Sequence, residues 1–230
     1  MTKEALPIGP ALTWRPVPRP QKRVLEGRYV RLEPVDAARH ADDLHRSSQD
    51  SPTIWTYLGY GPFADAAAFR GWLSERAAQS DPLFFAIIDK ATGRAAGMAS
   101  YLRITPGDGV IEIGHIWLAP AIQRTRQASE AIFLLMREAF ALGYRRLEWK
   151  CNALNAGSRR AALRFGFSFE GIFRQHMIVK GRNRDTAWFA MLDHEWPAVS
   201  AGFERWLAPD NFDAAGGQKL SLAALNRGAA

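Results

Sequence analysis

The stretch from Val110 to Cys151 restricts the fold more than any other part of the chain. Val110–Leu118 (VIEIGHIWL) is rich in β-branched and aromatic residues and reads as a strand. Arg126–Leu142 carries Ala131, Leu134, Leu135, Met136 and Phe140 among its apolar positions, reads as a helix, and ends at Gly143. Arg146–Cys151 reads as the next strand. A strand–helix–strand unit of this kind crosses over and lays its two strands parallel. Upstream, Leu83–Asp89 and Ala95–Ile104 are strands joined by the turn Lys90–Arg94, and Pro106–Gly109 turns the chain into Val110. These three strands form an antiparallel meander, so the sheet must be mixed.

Other elements extend this centre. Tyr29–Val35 alternates apolar and polar residues as a strand does, and Asp36 is placed to cap a helix running to about Ser48. Asp65–Gln79 has Phe69, Trp72, Leu73 and Ala77 at helical spacing. Ala156–Phe165 is a short helix stopped by Gly166, and Gly171–Lys180 and Thr186–Leu192 bracket a turn at Gly181–Arg184. His194–Leu207 predicts a helix broken near Pro197. Three regions are expected: an extended Pro-rich arm over 1–24, a folded domain over 25–195, and a C-terminal helix with a loose tail over 196–230.

Composition excludes several classes. No run approaches the roughly 20 apolar residues of a membrane span, and the Pro-rich N-terminus has no signal-like apolar core. A single cysteine, Cys151, closes no intrachain disulfide and joins no zinc cluster, which fits a cytoplasmic location. The formal net charge of +7 is spread along the chain, so nucleic acid is a possible partner through a basic surface but an unlikely one.

Chemistry concentrates between Glu112 and Glu130. A strand ends, a Pro-bearing turn follows, and a long helix begins with Arg124 and Arg126 at its N-terminus. Unpaired N–H groups and the helix dipole make that end an anion site, and a diphosphate suits it. Without an anion, positive charge there is unfavourable by about 0.3–1 kcal/mol per residue. The alternative is a helix start that happens to be basic.

Gln123–Ala128 (QRTRQA) follows the frame Gln/Arg-x-x-Gly-x-Gly/Ala, with Arg126 in the first Gly place. Asn155–Ser158 (NAGS), Arg164–Phe167 (RFGF) and Glu170-Gly171 follow at a set order. Together these segments resemble the GNAT acetyltransferase superfamily, and their spacing resembles its RimJ/RimL-like branch, over roughly residues 24–195. The resemblance implies an α/β (α+β) fold. Its mixed, mostly antiparallel sheet has six to seven strands flanked by helices, and acyl-CoA lies at a splayed pair of parallel strands. It implies acetyl-CoA as co-substrate, no metal, and an amine acceptor that is a small molecule or a protein N-terminus.

Site roles follow from the same resemblance. Trp117 and Leu118 offer backbone hydrogen bonds to the pantetheine. The turn of Gln123, Arg124, Thr125, Arg126, Gln127, Ala128 and Ser129 holds the pyrophosphate. Asn155 bonds the pantetheine arm, or is simply a helix cap. Ser158 protonates the leaving thiolate, or is a polar first-turn residue. For the base there are three candidates: Glu112 on the strand leading to the turn, His115 on the same strand but facing the other way unless a bulge intervenes, and His176 on the late hairpin. Met177 stands where that branch carries a glutamate, so its base does not carry over. The loop Tyr57–Phe63 (YLGYGPF) and the neighbouring Trp55 and Trp72 lie where the family covers its acceptor cleft. A non-catalytic acyl-CoA sensor and a ribosome- or RNA-associated protein are the competing readings, and the aromatic C-terminal helix with Trp196, Phe203 and Trp206 packs either on the domain or on a partner, as in a homodimer.

Overall fold

The computed structural model of the chain describes residues 6–49, 51–214 and 216–227. Residues 1–5 of the expected arm and 228–230 of the expected tail lie outside them. Eight strands form one sheet: β1 (Leu25–Glu26), β2 (Val30–Pro34), β3 (Leu83–Asp89), β4 (Arg94–Thr105), β5 (Val110–Leu118), β6 (Arg146–Asn152), β7 (Ser168–Val179) and β8 (Arg182–Leu192), in the order β1-β2-β3-β4-β5-β6-β8-β7. Every pairing is antiparallel except β5 with β6. The two-residue β1 takes the count past the expected six to seven.

The helices are α1 (Ala37–Gln49), α2 (Ala66–Ala78), α3 (Arg126–Ala141), α4 (Ala156–Arg164), α5 (Trp196–Leu207) and α6 (Leu222–Arg227). Asp65 caps α2 by accepting from the Ala68 N–H, and Thr125 caps α3 by accepting from Ala128. On one face of the sheet α3 and α5 bury Phe133, Leu135, Phe203 and Trp206 against Phe85, Ile111, Ile113, Leu147 and Phe189. On the other face α1 and α2 bury Leu44, Phe69 and Leu73 against Phe84, Ile88, Met98 and Trp117. That second core stops at β5, so among the described residues β6 and β8 carry no helix on this face.

β5 and β6 pair only from Val110↔Arg146 to Ile113↔Trp149, and beyond that point they separate. A bulge in β5 accompanies the split: Met98 lies opposite Trp117 but Ser100 lies opposite Gly114, leaving one extra residue on β5. His115 sits in it with a φ of 50°.

Three expectations change. Pro197 lies in the first turn of α5, where no N–H is needed, and the helix is unbroken. The β7–β8 hairpin turns on Lys180-Gly181, both at positive φ as a tight hairpin demands, so Arg182–Arg184 belong to β8 rather than to the turn. The tail is packed: Leu222 is fully buried, Asn211 bonds the Trp206 and Leu220 carbonyls, and the Trp206 indole donates to Gln218. The described part of the arm has no helix or strand before β1 and is tied down by Trp14 to the Gly107 carbonyl and by an Arg23–Glu138 ion pair.

Candidate active site

The gap between β5 and β6 opens into a cleft of about 1780 Å³ that runs from the N-terminus of α3 to the β7–β8 hairpin. Every sequence-predicted site residue lines it: Glu112, His115, Trp117, Leu118, Gln123–Ser129, Asn155, Ser158 and His176.

At one end, the chain leaves β5 through a short 3-10 turn, Pro120–Ile122, and Arg124 takes a left-handed φ of 61° before α3 begins. Thr125 Oγ1 donates to the Ile122 carbonyl and accepts from the Ala128 N–H at 3.4 Å, which fixes the helix start. The backbone N–H groups of Arg124, Thr125, Arg126 and Gln127 meet no acceptor among the described residues. Four successive free amides at a helix N-terminus form an anion cradle. Arg126 is the first residue of α3 and needs no positive φ, so the missing glycine costs no backbone strain. Its guanidinium stacks on Tyr29 at 4.4 Å and Phe212 at 5.3 Å from the ring centres. Arg164 reaches across from α4, donates to Ser129 Oγ at 3.0 Å and lies over Trp206.

In the middle, the Ala119 N–H bonds to Ala96 on β4. Strand alternation then turns the Leu118 N–H and C=O away from β4 into the gap, and commits those of Trp117 to β4. The Leu118 carbonyl already accepts from Gln123 Nε2 at 2.9 Å. Of the expected backbone pair, Leu118 thus faces the gap and Trp117 contributes its buried ring. Asn155 Oδ1 caps α4 through the Ser158 N–H, so the capping reading holds for that atom. Ser158 Oγ accepts from Trp149 Nε1 at 3.0 Å, and its hydroxyl also lies within hydrogen-bond reach of the Cys151 thiol.

At the far end, the bulge reverses the alternation of β5 and brings His115 to the same face as Glu112 and Trp117, stacked between Tyr60 and Phe84. Burial, with Arg76 and Arg184 nearby, pushes its pKa down to about 4. It is a neutral ring and a feeble base. Glu112 is 4% exposed. Burial raises its pKa to about 7 against the pull of Lys150, whose Nζ lies 2.7 Å from Oε2, and of Arg103 at 3.5 Å. Burial also lowers the Lys150 pKa. His176 Nδ1 is 2.9 Å from Thr186 Oγ1, and desolvation with Lys150, Arg184 and Arg103 lowers its pKa.

Sequence reasoning missed Lys150, Arg103 and Arg184 as parts of this site. A lysine inside the apolar run LEWKC was the one available signal for Lys150. Its contact with Glu112 depends on the β5–β6 register, which sets Glu112 beside Glu148 on the parallel neighbour. Among the described residues no His, Cys, Asp or Glu cluster could hold a metal, and no helix is long and apolar enough to cross a membrane.

Residues 30–168 match the acetyltransferase (GNAT) domain model. A GCN5-related N-acetyltransferase from Brucella melitensis is 53% identical, with 94% of this chain and 99% of that one covered and a TM-score of 0.92. A probable GNAT-family acetyltransferase from Chromobacterium violaceum is 45% identical over 86% of this chain and all of that one, with a TM-score of 0.79. An uncharacterised N-acetyltransferase, p20, from Bacillus licheniformis is 28% identical over 63% of this chain and 83% of its own length. The chain belongs to the GNAT family and is an acyl-CoA-dependent N-acetyltransferase.

Proposed function

We propose that the protein moves the acetyl group of acetyl-CoA directly to a primary amine, with Glu112 as base and Ser158 as acid. The observation that carries this is a buried carboxyl of pKa about 7 in the same cleft as a free four-amide anion cradle. The residues present fit acetyl-CoA: the Arg124–Gln127 amides and Arg164 suit the pyrophosphate, the Leu118 N–H suits the pantetheine, and Ser158 suits the sulfur. Glu112, directly or through water, takes the proton of the attacking amine. The C–N bond forms as the C–S bond breaks, Ser158 gives its proton to the departing sulfur, and the proton taken by Glu112 returns to Ser158 through solvent. Positioning in the split strands supplies much of the remaining rate.

The sensor reading rested on Arg126 in a glycine place and on Met177 in place of a carboxylate. Arg126 stacks on Tyr29 and Phe212, and Glu112 supplies a carboxylate of suitable pKa, so enzyme is the better reading. The order of Asn155, Ser158, Gly166-Phe167 and Glu170-Gly171 supports the RimJ/RimL-like branch. A protein N-terminus, or a small amine, is then the acceptor, and the cytoplasm is the compartment. The reading also assigns residues 25–195 to the catalytic unit, with the arm and the C-terminal segment as its straps. Calorimetry with acetyl-CoA, followed by thiol release on adding amines, tests it. Absence of acetyl-CoA binding at saturating concentration would overturn it.

A further inference from the structure

The two ends of the cleft are both cationic, and only one end has the acyl donor to answer it. Seven Arg or Lys side chains line the cleft against a single carboxylate, Glu112. Arg124, Arg126, Arg160 and Arg164 belong to the α3–α4 end, where a pyrophosphate answers them. Arg103, Lys150 and Arg184 belong to the other end.

Glu112 answers one of these three, and it already touches two, Lys150 at 2.7 Å and Arg103 at 3.5 Å. Arg184 has no carboxylate within ion-pair distance among the described residues; its Nη1 contacts only the Met177 sulfur, at 3.6 Å. Its Nε is buried and has no acceptor, and the same holds for the indole Nε1 of Trp188, four residues further along the same face of β8. Lys150 and Arg103 both lie over the Trp188 ring, at 4.4 and 5.3 Å. Buried donors without acceptors are rare in folded proteins, and two on one strand face call for oxygen atoms from outside. Arg184, Thr186 and Trp188 share a face of β8 by strand alternation, and Arg184 and Thr186 line the cleft where, among the described residues, no helix of the second core covers β8.

We propose that the acceptor is an anionic amine, whose carboxylate group sits on Arg184 beside Trp188 and Lys150 while its amine faces Glu112. This rests on the acetyltransferase reading of the same cleft and narrows it. Polyamines and other purely cationic amines meet the excess positive charge of this end and are turned away. Two sources carry the required chemistry: a free amino acid, whose carboxylate is its own α-carboxyl, and a peptide N-terminus with an acidic side chain.

The test uses the full chain and matched acceptors: L-amino acids against their carboxamides, peptide amides beginning with Glu against the same peptides beginning with Gln, and spermidine as the cationic control. Thiol release gives kcat/KM, and calorimetry gives acetyl-CoA affinity on the same preparation. The acid of at least one pair should exceed its neutral partner by about thirtyfold or more, the effect expected of a desolvated charge pair. Whether the free acids or the Glu peptides show it identifies the source. Arg184→Gln should shrink the ratio to about threefold or less, with acetyl-CoA affinity unchanged and Arg184→Lys partly restoring it. Neutral partners or spermidine turned over as well as the acids would overturn the proposal. If no acceptor in the panel is turned over, the N-acetylated forms of the same pairs are titrated into the CoA-bound protein. Tighter binding of the acid, lost in Arg184→Gln, upholds the proposal; equal binding, or none by either, overturns it. Loss of acetyl-CoA binding itself is a separate outcome that overturns the acetyltransferase reading and this proposal with it.

Discussion

In the proposed reaction Glu112 and Ser158 divide the proton chemistry because their surroundings differ. Glu112 must be ionised to accept a proton, and its pKa is about 7, so kcat/KM should rise with pH through about 7 and level off above it. Glu112→Gln should lower kcat by about 10²-fold or more and abolish that rising limb, as a pH–rate profile would show. His115 cannot take its place, because burial holds its pKa near 4 and leaves little basicity. Ser158→Ala should lower kcat by about 10²-fold with acetyl-CoA affinity little changed, since the hydroxyl is oriented by Trp149 and its proton goes to the leaving sulfur. An equal loss in binding and turnover would instead place Ser158 in donor recognition.

The element that sets the site is α3, held at both ends of its first turns. Thr125 caps its start, and Glu130, one turn on, accepts from the backbone N–H groups of Arg28, Tyr29 and Val30 at 2.6–2.8 Å. That carboxylate locks the entry of β2 against the helix carrying the cofactor cradle. Glu130→Ala leaves three amides unmet and should cost about 3–5 kcal/mol, read as a lower Tm or denaturation midpoint. The β4–β5 contact is equally tight: a Cβ at Gly97 would lie 2.6 Å from the Trp117 carbonyl oxygen. Gly97→Ala should therefore push β5 away from β4, destabilise the fold, and weaken acetyl-CoA binding through Leu118. Had that binding stayed normal in a folded Gly97→Ala protein, the Leu118 amide would not be part of the donor site.

At the scale of the whole molecule, the C-terminal segment closes the donor end of the cleft. Trp206, Phe212 and Gln218 line it, and Phe212 sandwiches Arg126 against Tyr29. Removing residues 209–230 should raise the acetyl-CoA Kd and lower Tm together, measured by calorimetry and thermal unfolding. The strand–helix–strand centre, the meander and the helix N-terminus were all legible in the chain, because hydrophobic period, turn residues and caps are local and short-range. The ends of β3 and β5 could be read to the residue, and the basic helix start fell at the N-terminus of α3, as the sequence pattern required. Local pattern does not carry what one strand does to its neighbour. The bulge that turns His115 onto the Glu112 face, the register that lays Lys150 against Glu112, and the packing that leaves Arg184 and Trp188 without acceptors all arise from pairing across the sheet. The chain alone therefore determined the class of fold and the basic helix start at which the acyl donor is proposed to bind. The tertiary structure decided the pKa values and the charge that meets the acceptor, because burial and partner distance are properties of residues brought together from far apart in sequence.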